Sequence, residues 1–143
     1  MEQKGQGNRK QPTKNGSVRQ QLGATGERLA AERLTREGYW ILEHNFRSRY
    51  GEIDIIAEHE QDIVFIEVKT RRGTAYGLPE EAVNRRKLRR MVRAMNYYLS
   101  THEQQYSERS WRIDVVAIQL SVSGRLEEIR IYQHAVSDIE NLE

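Results

Sequence analysis

The segment Ile63-Val-Phe-Ile-Glu-Val-Lys69 constrains this chain more than any other. Side chains alternate across a strand, so Ile63 and Phe65 take one face and Val64, Ile66 and Val68 the other. A strand apolar on both faces lies inside a sheet that is covered on both sides, which predicts an α/β fold. The run then breaks its own pattern. Glu67 and Lys69 project on the side of Ile63 and Phe65, where a carboxylate and an ammonium incur desolvation costs unless they are paired or coordinated.

The surrounding sequence supplies the other layers. Leu22, Gly26, Leu29, Ala30 and Leu34 recur at helical spacing, and Gly38 stops that run, which predicts a helix over 22–37. Strands are expected over 39–46, 52–58 and 63–70, joined by short polar turns as an antiparallel meander. Pro79, with Glu80 and Glu81 behind it, opens a helix to about Leu99. Strands over 111–120 and 126–132 complete the order αβββαββ. A helix between the third and fourth strands lets those two run parallel through a crossover, giving a central mixed sheet flanked by helices.

One domain over 19–135 is expected from a chain of 143 residues. Residues 1–18, with only Met1 and Val18 apolar, read as a disordered basic tail, and 136–143 as a C-terminal tail. The absence of cysteine excludes disulfides, thiolate metal sites and cysteine nucleophiles, and fits a cytoplasmic location. No apolar stretch has the length of a signal-peptide core or a membrane span.

Chemistry is expected where the strands carry polar residues. On the second strand Glu52, Asp54 and Ile56 share one face, while Ile53, Ile55 and Ala57 take the other. Asp54 and Glu67 on neighbouring strands supply hard oxygen ligands for Mg²⁺ or Mn²⁺, with the Val68 carbonyl as a further ligand. Lys69 would position a water or neutralise charge developing on phosphorus. A buried ion pair without metal is the competing reading, and strand periodicity leaves both open. Glu27 stands among Gly23, Ala24, Ala30 and Ala31, so it reads either as an acid turned toward the same centre or as a surface partner of Arg28 or Arg33. Glu52 is placed in support of Asp54. Asp114 either supports the site or pairs with Arg112.

The net charge of +2 is unevenly spread. Residues 69–93 hold nine basic side chains against Glu80 and Glu81 alone. Arg86, Arg89, Arg90 and Arg93 lie opposite the core stripe Leu88, Met91, Val92, Met95 and Leu99, with Lys87 at the border, and Arg71 and Arg72 follow Lys69. Such a surface can track a phosphate backbone. A solvated helix face is the alternative, although arginines three and four residues apart repel one another. The four histidines lack zinc spacing.

Taken together, Glu27, Gly51-Glu-Ile-Asp54, Ile66-Glu-Val-Lys69 and the basic helix resemble the PD-(D/E)xK, or restriction-endonuclease-like, nuclease superfamily. Within it the chain is similar to the YraN family, related to archaeal Holliday junction resolvases, over roughly residues 19–132. The resemblance implies a Mg²⁺-dependent endonuclease acting on DNA, with Asp54 and Glu67 holding the metal, Lys69 as the catalytic lysine and Glu27 as the helix-borne acid; a non-catalytic nucleic-acid-binding protein that retains the nuclease fold is the alternative. Lys87 falls near the helix position where relatives carry a further Gln or Lys. Ile53 stands where the superfamily name places proline. A junction substrate would require a homodimer.

Overall fold

A computed structural model describes residues 18–75 and 77–135. The two tails expected at 1–18 and 136–143 therefore lie outside the described residues, apart from Val18, which begins the first helix. Helix α1 (Val18–Arg36) ends where Gly38 adopts a φ of 92°, a left-handed conformation that costs glycine little. Strands β1 (Trp40–Ser48), β2 (Gly51–His59) and β3 (Asp62–Arg72) follow as a meander. A 3-10 turn (Pro79–Ala82), helix α2 (Arg85–Thr101) and a short helix α3 (Glu103–Tyr106) lead to β4 (Ser110–Leu120) and β5 (Leu126–Tyr132).

The five strands form one sheet in sequence order, with β3 in the middle. β3 pairs antiparallel with β2 and parallel with β4, in register from Asp62↔Ser110 to Arg72↔Leu120. This is the mixed sheet flanked by helices that the sequence predicts, and β3 is buried on both faces. Ala30 and Leu34 of α1 pack with Ile55, Val64, Ile66, Val116 and Ile118 on one side. Met91, Met95 and Tyr98 of α2 pack with Ile56, Ile63, Phe65 and Ile113 on the other. Burial of this apolar surface on both faces is the main stabilising contribution, about 25 cal/mol per Å² removed from water.

Two expectations need correction. The helix expected from Pro79 begins instead at Arg85. Asn84 caps it, its Oδ1 accepting from the Lys87 N–H at 3.0 Å, while Val83 is extended. The preceding 3-10 turn is held toward β5 by Glu80, which accepts from Arg130 at 2.8 and 2.9 Å and from the Tyr132 hydroxyl at 3.0 Å. The second correction concerns β2. Ile53 packs on the α2 side, with Ile56, whereas Ile55 and Ala57 face α1. Strict alternation fails because the ribbon turns over at Asp54, opposite Asn45, whose φ is 51°.

Candidate active site

That turnover builds the site. The β2–β3 ladder runs from His59↔Asp62 to Ile55↔Ile66 and stops; one more step would set Asp54 opposite Glu67. In place of a backbone acceptor, the Val68 N–H donates to Asp54 Oδ2 at 2.8 Å. The N–H and C=O of one strand residue point toward the same neighbouring strand, so the Val68 carbonyl also faces the parted edge beside Asp54. Asp54, Glu67 and the Val68 backbone thus converge where two strands separate.

Glu67 is 1% exposed, a carboxylate in the floor of the sheet. Its Oε1 lies 2.5 Å from Lys87 Nζ and 3.5 Å from Lys69 Nζ. Both ammonium groups are therefore drawn to one buried carboxylate oxygen, Lys87 the more closely. Burial first, and then the neighbouring Asp54 carboxylate, push the Glu67 carboxyl up to about 7, against the opposing pull of Lys87 and Lys69. Burial likewise lowers the Lys69 ammonium, with the adjacent Lys87 amine acting in the same direction. Burial works against the charge on Lys87 too, yet Glu67 more than offsets it and leaves Lys87 above its ordinary value.

Glu27 turns toward this centre. Gly26 makes that possible: a Cβ there would stand 1.8 Å from Thr70 Oγ1, so α1 lies directly on β3. Burial and then the Asp54 charge raise the Glu27 carboxyl, while a hydrogen bond with Asn45 works the other way. Glu27 is therefore within electrostatic reach of Asp54, and its surface-pairing alternative falls away: Arg28 pairs with Glu32 and Arg33 with Glu37.

A cleft of about 740 Å³ opens over Asp54 and Glu67. Its walls are Ser48–Glu52 of the β1–β2 hairpin and Asn84, Arg86, Lys87, Arg90 and Met91 of the α2 region. The basic residues singled out from the sequence thus divide. Arg86, Lys87 and Arg90 line the cleft, Lys87 being turned onto Glu67 instead of sitting at a border. Arg89 and Arg93 are exposed on α2 outside its lining. Arg71 is half-buried, and Arg72 donates to the Val122 carbonyl at 2.5 Å. Glu52 lines the cleft but is largely exposed, 3.7 Å from Arg47.

Asp114 does not support this centre. It is fully buried in a separate network, accepting from the Tyr39 hydroxyl at 2.7 Å, Arg112 Nε at 3.1 Å and the His134 N–H at 3.1 Å. Arg112 also donates to Asp62 at 2.8 Å. Pairing with Arg112, the alternative open from the sequence, is what the structure shows. Sequence reasoning missed the hairpin wall, Arg49 and Tyr50, and undervalued Lys87. Asn84 was the available signal for Lys87, since a capping residue fixes where α2 starts and which side chains its first turn aims at the sheet.

Among the described residues no group of three or more His, Asp or Glu side chains forms a ready metal cage. Mg²⁺ does not need one. It takes one or two carboxylates and keeps waters and phosphate oxygens in its other positions. Asp54, Glu67 and the Val68 carbonyl fit that requirement by the chemistry of their oxygen donors, with Lys87 and Lys69 already drawn to the Glu67 carboxylate.

Fold and site together define an α/β protein with an acid–acid–lysine centre at a parted strand edge under a basic cleft. Residues 26–118 match the family described as "Uncharacterised protein family UPF0102", and the chain belongs to that family, the YraN family that its motifs resemble. A UPF0102 protein of Syntrophomonas wolfei is 48% identical over 101 residues, covering 71% of this chain and 86% of that one. Another, from Caldicellulosiruptor bescii, is 41% identical over 115 residues, covering 80% and 96%. A repair endonuclease from Pyrococcus abyssi aligns at a TM-score of 0.32 and 19% identity, over 71% of this chain and 36% of that longer one. No helix among the described residues is long and apolar enough to cross a membrane.

Proposed function

We propose that this chain is a Mg²⁺- or Mn²⁺-dependent endonuclease that hydrolyses DNA phosphodiesters. The observation that carries the reading is the placement of Asp54 beside Val68 and Glu67, with Lys69 and Lys87 on the same carboxylate, where Asp54, Glu67 and Lys87 line a cleft shared with Arg86 and Arg90. Arg86 and Arg90 hold the phosphate backbone, aided by the partial positive charge at the start of α2. Asp54, Glu67 and the Val68 carbonyl would hold the divalent ion, which would supply polarisation of the scissile phosphate and a more acidic water. Lys69, kept close by Glu67, donates to the phosphoryl oxygens as negative charge grows on them. Glu27 orients solvent and Asp54 from the α1 side.

DNA strand cleavage on linear and branched substrates with Mg²⁺ or Mn²⁺ tests the reading. Asp54→Asn and Lys69→Ala should each lower the rate by roughly 10²- to 10³-fold, the usual effect of losing one charge-stabilising group. Absence of cleavage by the wild type, or equal cleavage by the variants, overturns it. If a branched substrate with two equivalent strands is preferred, the active species is a two-fold dimer, which sedimentation detects.

A further inference from the structure

We propose that Tyr50, Tyr97 and Arg49 form a stacking platform for one unstacked nucleobase, so that the cleft prefers a strand with unpaired bases over continuous duplex. The inference rests on the cleft being a nucleic-acid site and names which form of nucleic acid it takes.

Tyr50 is 38% and Tyr97 41% exposed, much as Trp111 and Tyr132 are and less than Trp40, but these two stand together. Their rings stand 5.5 Å apart, tilted by 48°, and Tyr97 stacks on Phe46 at 6.4 Å. The Arg49 guanidinium lies 4.9 Å from the Tyr50 ring centre, and its Nη2 donates to the Tyr50 hydroxyl at 2.6 Å. Two aromatic rings and a guanidinium plane are the groups on which proteins stack bases without reading their sequence.

The platform is fixed in place. Ser48 closes the hairpin turn, its Oγ accepting from the Tyr50 N–H at 3.2 Å and donating to the Gly51 carbonyl at 3.1 Å. Gly51 has a φ of 154°, and a Cβ there would stand 3.0 Å from the Arg90 carbonyl, so the hairpin rests against the α2 backbone. Arg49 and Tyr50 thus line the same cleft as Arg86, Lys87 and Arg90, and Tyr97 stands beside Tyr50 outside that lining. A nucleotide whose phosphate is held by Arg86 or Arg90 therefore has the Tyr50 ring in the same cleft for its base.

Cleft size agrees with this. The volume of about 740 Å³ falls within the range of roughly 300–1,000 Å³ that takes a ligand of nucleotide scale. In a duplex both faces of each base are covered by neighbours, so only a base out of the stack can meet Tyr50.

Fluorescence anisotropy in EDTA tests this without cleavage, using a labelled duplex and the same duplex with a single-stranded extension. Wild type should bind the extended form about tenfold more tightly, within the range of base–aromatic stacking. Tyr50→Ala and Tyr97→Ala should remove that preference, and Tyr50→Phe should keep it. A 2-aminopurine in the extension should lose fluorescence with wild type and Tyr50→Phe, but not with Tyr50→Ala. Equal affinity for the two forms, or alanine variants that weaken both equally, overturns the platform and leaves the nuclease reading standing. Binding of neither form overturns the platform, while the nuclease reading is decided separately by the cleavage assay with Mg²⁺ or Mn²⁺.

Discussion

Lys87 of α2 and Glu67 of β3 lie 2.5 Å apart, side chains 38% and 2% exposed, joining the basic helix to the acid centre. The contact offsets part of the cost of burying that carboxylate, although burial and Asp54 still prevail. It also makes the charge balance there sensitive to pH and to any arriving cation.

Glu67 should make stability fall with alkalinity. An acid whose folded pKa stands above its unfolded value favours the folded state while protonated. That contribution is whole below 4.5, the ordinary value, and is lost as pH rises through about 7. Glu67→Gln does not titrate, so its stability relative to wild type should improve from pH 5 to pH 8 by about 2–3 kcal/mol at most. Urea unfolding at the two pH values in EDTA checks this, and a pH-independent difference would contradict it.

Asp54→Asn should separate folding from metal binding. The amide oxygen still accepts the Val68 N–H, so the strand edge closes as before. Loss of the Asp54 charge also removes the second cause of the raised Glu67 carboxyl. Stability at pH 8 should therefore be unchanged or higher, within about 1 kcal/mol. Mn²⁺ binding followed by calorimetry should disappear. Retained binding would remove Asp54 from the ligand set.

Asp114→Ala should do the reverse. Arg112 has a 3% exposed side chain, and truncating one partner of a buried charge pair costs about 3–5 kcal/mol. Asp62 still faces Arg112, which places the expected loss at the lower end. Where the variant remains folded, Mn²⁺ affinity should match wild type, because none of the Asp114 partners touches the cleft. A metal-binding defect without a stability loss would restore Asp114 to the site.

How far the sequence could be read depends on which physics placed each residue. The apolar run of β3 and the charges at its end follow from period-two alternation and burial, so Glu67, Lys69 and the central strand were legible. Asp54 was legible as a neighbour, but the ladder that stops at Ile55↔Ile66 was not. Alternation assumes a regular strand, and the turnover opposite Asn45 that carries Ile53 to the α2 side is a local backbone event without a hydrophobic signature. Lys87 was obscured for a related reason. Helix periodicity assigns a face, whereas the reach of a lysine from the edge of that face to a buried acid depends on how α2 sits on the sheet. Arg49 and Tyr50 are ordinary turn residues until the hairpin is docked against Arg90.

Gly26→Ala should damage the site from a distance. The added methyl would stand 1.8 Å from Thr70 Oγ1 and 2.9 Å from Thr70 Cβ, so either α1 moves off β3 or Thr70 is displaced. Overpacking of this kind costs about 1–3 kcal/mol, only slightly offset by the better helix propensity of alanine. Movement of α1 carries Glu27 away from Asp54 and Asn45, so its carboxyl should return toward the ordinary range, lower than in the wild type. Adding Thr70→Ala removes Oγ1 and Cγ2 but keeps the Cβ at 2.9 Å, so the double variant should recover part of the stability and not all of it. Thermal unfolding of the single and double variants, with the Glu27 carboxyl followed by carbon NMR titration, checks both halves. If Gly26→Ala is as stable as wild type and Glu27 titrates unchanged, the close seat of α1 on β3 does not position this acid.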